Sequence, residues 1–288
     1  MSSVYRHELH SFFSGLTGYV FCAFYLLFAG IYTMVYNLKN CVANFEYVPG
    51  SMSFVFMIII PVLTMRTFSE ERRQKTDLLL YSLPIPLPAL VAGKYLALLT
   101  VMFLPSLIMG FYPVFLSAFG TINFASAYSA VAGFFLLGAA LAAIGMYISS
   151  VTENLAVSAF LCFITMLVNY FLSALSDFAS DSSFASYAVG VLLLVIGCII
   201  MRVMTANVFS SVSVCVVLEF ALTAVYVMNT SAFEGLFPSV MQKLSLFERF
   251  YGFVDGVFDL TGVVFFLGVA FLFCYLTLQT LEKRRWSD

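Results

Sequence analysis

Arg66-Thr-Phe-Ser-Glu-Glu-Arg-Arg-Gln-Lys-Thr-Asp-Leu-Leu-Leu-Tyr-Ser-Leu-Pro84 stands out because of what surrounds it. Seven charged residues fall between Arg66 and Asp77, in a chain that is 62% hydrophobic and only 10% charged. The mean hydropathy is +1.02 and phenylalanine alone occurs 33 times. A water-soluble core has no use for that much apolar surface. Charge-free runs long enough to cross a hydrocarbon layer of about 30 Å, which takes about 20 helical residues, lie on both sides of the charged segment. The segment is therefore a water-exposed connection between two spans and the natural place for a partner to grip.

The runs predict an all-α membrane protein, because a backbone in lipid must satisfy its own hydrogen bonds. Residues 15–36 form a first span and 47–65 a second, interrupted by Pro61. The stretch 95–152 divides into two near Gly120-Thr-Ile-Asn123. Residues 154–176, 182–201, 206–228 and 260–281 complete a polytopic bundle of about eight transmembrane helices in one domain, 1–288. On that count Arg6, Arg66, Arg72, Arg73, Lys75, Lys94, Arg202, Lys283, Arg284 and Arg285 share one side, and Lys39, Lys243 and Arg249 the other. The asymmetry predicts that both termini are cytoplasmic. The first apolar run is too long for a cleaved signal peptide and lacks a small-residue cleavage site. A net charge of −2 without a basic stripe excludes nucleic acid as a partner.

Within the charged segment, Ser69 is placed to cap a short helix beginning at Glu70. Glu71 with Lys75, and Arg73 with Asp77, are spaced for i,i+4 pairs. Leu78 to Leu80 give it an apolar end, and Pro84, Pro86 and Pro88 forbid its continuation. It reads either as a surface helix that docks a partner or as an ordinary solvated loop. His7-Glu8-Leu9-His10 has its histidines at i,i+3, whereas the zinc-protease pattern needs i,i+4, and the chain holds two histidines in all. An interfacial amphipathic helix, with Phe12 and Phe13 at headgroup level, is the plainer reading. The six scattered cysteines form no CxxC pair and read as small hydrophobes. Glu219 falls inside the seventh span, where an acid either contacts a translocated cation or pairs with nearby polar groups. Asp255 and Asp259 read as water-facing helix ends, and Thr152 with Glu153 as the start of the fifth span.

The segment 65–85 followed by Leu90-Val-Ala-Gly-Lys-Tyr-Leu-Ala97 resembles the signature of type-2 ABC exporter permeases. Glu8-Leu-His-Ser-Phe-Phe13 resembles the family's amphipathic lead-in helix, and Ser149-Ser-Val-Thr-Glu-Asn154 its cytoplasmic turn. Phe247 to Trp286 resembles the end of the gliding-motility-type branch. Residues 187–231 depart from the six-span pattern and read as an inserted helical pair. The resemblance implies an exporter permease in the cell membrane that pairs with a second permease copy or paralogue. Its energy would come from a separate cytoplasmic ABC ATPase subunit. The coupling helix would draw on Arg66, Glu70, Glu71, Arg72, Arg73, Lys75, Thr76, Asp77 and Leu79, with Glu153 and Asn154 as a secondary contact. The chain has no GxxxxGK[ST] loop, so ATP would be bound by the partner, with no cofactor or metal in this chain. The rival class is a polytopic membrane enzyme, an intramembrane protease or lipid transferase, which requires catalytic groups clustered at membrane depth.

Overall fold

The computed structural model describes residues 2–76, 86–178 and 230–285, except 41 and 43, with scattered positions between 182 and 227. Every regular element among them is helical. Six of the helical stretches are long and apolar enough to cross a bilayer. They match the first five and the last of the expected spans. The sixth and seventh expected spans lie largely outside the described residues. The chain divides into two compact units, one of Met1–Tyr170 with Leu246–Asp288, the other of Phe171–Ser245.

In the first unit, α1 (Ser2–Ser14) leads into α2 (Leu16–Thr33), which runs on as a π-helical turn, Met34–Lys39. Next, α3 (Tyr47–Thr64) passes with a single intervening residue, Met65, into α4 (Arg66–Arg73). Pro88 sits in the first turn of α5 (Leu87–Met109), where its missing N–H costs nothing. A short α6 (Tyr112–Leu116) and the loop at Gly120–Asn123 precede α7 (Phe124–Val151). Asn123 caps α7 by accepting from the Ser126 amide at 3.4 Å, so the long apolar stretch divides where the sequence places the break. The next span, α8 (Leu155–Phe178), starts in this unit and crosses its boundary.

The second unit holds scattered helical positions, a 3₁₀ turn at Thr230–Phe233 and α9 (Leu236–Leu244). Within it the Tyr187 and Tyr226 rings stack at 4.5 Å, and the Tyr187 hydroxyl meets Thr223 at 3.1 Å. The first unit resumes with α10 (Leu246–Val254) and closes with α11 (Leu260–Arg285). Asp259 caps α11 by accepting from the Thr261 amide at 2.9 Å, which holds its carboxyl below the usual range. Asp255, four residues earlier, is also exposed, and both acids lie at helix ends.

Two spans, α3 and α7, are mostly buried, whereas α2, α8 and α11 bury only a minor part of their residues. The exposed faces are hydrocarbon: Phe24, Leu27 and Ile31 on α2, and Val264, Leu267 and Phe271 on α11. Lipid is as apolar as these side chains, so helix association must come from close packing. On α7, Gly138 lies against Met102 and Phe56, and Gly145 against Thr64, with no room for a Cβ at either. Phe134 stacks on Phe56 at 3.9 Å, and the buried Tyr25 hydroxyl meets Ser106 at 2.8 Å.

Candidate functional site

The charged segment departs from its expected form in three ways. Its helix begins at Arg66 rather than Glu70, as an extension of α3. Ser69 is consequently a buried mid-helix residue and not a cap. The helix also ends sooner, at Arg73. Lys75 takes φ 57°, its amide donates to the Arg72 carbonyl, and the Thr76 amide donates to the Glu71 carbonyl, both at 2.9 Å. This pair of bonds closes a helix C-terminus around a left-handed residue, a position glycine usually fills. With Lys75 beyond the helix, the i,i+4 pair with Glu71 does not form.

Glu71 turns inward instead. Lys94, on α5, is 1% exposed, and its ammonium donates to Glu8 Oε1 at 2.7 Å, Glu71 Oε1 at 2.6 Å and the Thr67 carbonyl at 2.9 Å. An ammonium has three N–H donors and all three are used. The Phe68 ring lies 5.0 Å from the same nitrogen, adding a cation–π contact. A buried charge survives only when paired and hydrogen-bonded, and this arrangement meets both conditions. One side chain thus joins α1, α4 and α5. Gly93 permits the close approach, since a Cβ there would press on Val4 at 3.0 Å. The Tyr5 hydroxyl meets Thr100 at 3.0 Å on the same seam. Phe12 is buried in the core and Phe13 packs partly against it, so α1 lays apolar side chains on protein.

A second hub holds α4 to α7. The Ser149 hydroxyl accepts the Phe68 and Ser69 amides at 3.0 and 3.1 Å and lies 3.1 Å from the Met65 carbonyl. A restarted helix leaves its first N–H groups without intrahelical partners, and Ser149 supplies an acceptor from a neighbouring helix. Ser69 Oγ bonds both the carbonyl and the hydroxyl of Ser149. Thr152 terminates α7 by bonding the Ile148 carbonyl, and Asn154, not Thr152, caps α8 through the Ala156 amide at 2.9 Å. Arg284 of α11 donates to the Val151 carbonyl at 2.9 Å and stands 3.7 Å from Glu153.

The expected site residues therefore separate. Arg73 and Lys75 are exposed, Glu70 and Thr76 half-buried, and Arg72 buried. Arg66 is exposed and donates to Thr17 at 2.7 Å. Asp77 and Leu79 lie outside the described residues. Glu153 is largely exposed and Asn154 serves as a cap. Glu219 belongs to the second unit, half-buried in a helical stretch. Sequence reasoning missed Glu8, Thr67 and Ser149 as site-forming residues and treated Lys94 as a boundary charge. Among the described residues no three of His, Cys, Asp and Glu gather as metal ligands would.

A family model described as ABC-2 family transporter protein matches residues 31–210, more than half of the chain. The match takes in Glu71, Lys94 and Ser149, but not α1, α10 or α11. Neither a curated protein nor a solved structure matches.

Proposed function

The chain belongs to the ABC-2 family of transporter proteins, and from that premise we propose that it is the permease subunit of an ABC exporter driven by a separate ATPase. It is a multi-pass membrane protein, and its own sequence lacks a phosphate-binding loop. The ATPase docks on the charged segment that continues α3, using the exposed Arg73 and Lys75, the half-buried Glu70 and Thr76, and Asp77 and Leu79 beyond them. Charges on such a surface supply orientation and partner choice, and the leucines supply contact area. Glu153 adds a lesser contact from the α7–α8 turn.

The observation that supports this reading best is the bracing of α4 at its root. A displacement of Arg73 passes into α3 directly, into α1 and α5 through Lys94, and into α7 through Ser149. Four helices then move as one body, as a switch of access between two sides requires. Two permease halves work with two ATPase copies, in the cell membrane with both termini cytoplasmic, which the Lys and Arg distribution supports.

The test is affinity purification of the tagged chain from its native membranes. A chain bearing GxxxxGK[ST] copurifies with wild type and is lost from the Arg73→Glu, Lys75→Glu double variant at equal abundance. Retention of that chain by the double variant rejects the docking assignment.

A further inference from the structure

Between α2 and α3, at the end where α4 begins, lies a groove of about 370 Å³. Val20 and Phe24 form one wall, Ile58 and Val62 the other, and all four are exposed at its rim. From Ile58 to Arg66 the groove runs for about 12 Å at the helical rise per residue. Its polar groups sit at one end, Arg66 with Thr17. One N–H of Arg66 bonds Thr17, and Glu70 lies 3.7 Å away on the exposed side. An arginine carries five donors, so the guanidinium keeps several, and a loose exposed ion pair is too weak to neutralise it.

We infer that this groove holds an acyl chain of an anionic membrane lipid, with the headgroup phosphate on Arg66. The inference rests on the chain spanning the bilayer, not on the coupling role. Three observations favour lipid. The long wall is hydrocarbon, as an acyl chain requires. The polar end coincides with the start of the first span, and Arg66 is the first charge after the apolar run 47–65, the position at which a span is expected to meet headgroups. A planar guanidinium matches a phosphate through two parallel hydrogen bonds.

Native mass spectrometry of the full chain in detergent tests this, with dioleoyl lipids bearing either a phosphoglycerol or a phosphocholine headgroup. Wild type should bind the phosphoglycerol lipid about ten-fold more tightly, because both headgroups offer a phosphate but the quaternary ammonium of phosphocholine offsets its attraction to the guanidinium. Arg66→Gln should abolish that preference while Lys283→Gln, an exposed cation on α11, preserves it. Val62→Trp should reduce binding of both lipids by filling the groove. Equal affinity for the two lipids in wild type overturns the inference without recourse to any variant. So does an equal effect of Lys283→Gln, which would mean surface potential alone, or undiminished binding in Val62→Trp. Disulfide formation between two chains carrying Val20→Cys, in a background without the six native cysteines, would seat a second copy there and also overturn it. Failure of any arm leaves the ATPase docking reading intact, since no arm involves the ATPase.

Discussion

Replacing Lys94 with Met keeps the length of the side chain and removes its charge. The carboxylates of Glu8 and Glu71 then face each other with no counter-ion, at side-chain exposures of 12% and 22%. The Thr67 carbonyl loses its donor as well. Removing one partner of a buried pair costs roughly 3–5 kcal/mol. Both carboxylates keep some access to water, which sets the expected loss near the lower limit, about 3 kcal/mol. For a protein of this size that corresponds to a fall in Tm of roughly 6 °C. Thermal unfolding in detergent, followed by the reactivity of the buried Cys162 thiol, measures it. The decisive comparison is the same substitution in an E8Q, E71Q background. With no carboxylates to strand, Lys94→Met should there cost less than about 1 kcal/mol, a coupling of about 2 kcal/mol or more. A Tm within 2 °C of wild type, or an equal loss in both backgrounds, refutes the three-helix clamp.

Other outcomes follow from the packing. Ser149→Ala strips the acceptor from two buried amides and should cost about 2–4 kcal/mol in the same unfolding assay. Gly145→Ala drives a methyl into Thr64 and should cost about 1–3 kcal/mol, with Thr64→Ala in the same chain restoring much of it. Lys75→Gly relieves the left-handed strain at the end of α4 and should raise stability by about 0.5 kcal/mol.

The six described spans were legible because each carries its own signal, an unbroken apolar run bounded by charge, proline or glycine. Asn123 and Asp259 were legible as boundaries for the same local reason. The clamp was not. Lys94 lies 86 residues from Glu8 and 23 from Glu71, and no spacing rule links positions on three different helices. Lys94 instead resembled the other basic residues at span ends. Ser69 misled because a serine before two glutamates has the composition of a helix start. The helix had already begun at Arg66, and the hydroxyl serves Ser149. The pair Glu71 with Lys75 misled in turn, since helical spacing means nothing once the backbone turns left-handed. Thr152 and Asn154 are both capping residue types, and only the positions of the Ile148 carbonyl and the Ala156 amide divide their roles.

An ATPase docked on the charged extension of α3 would cover the end of that extension. Gln74 is exposed at its tip, between Arg73 and Lys75. A photo-crosslinking amino acid at position 74, activated in native membranes, tests this docking. The expected product is an adduct with a chain bearing GxxxxGK[ST], weakened when Arg73 and Lys75 are both reversed to Glu. Adducts formed only with lipid, or with no ATPase chain among them, would contradict it.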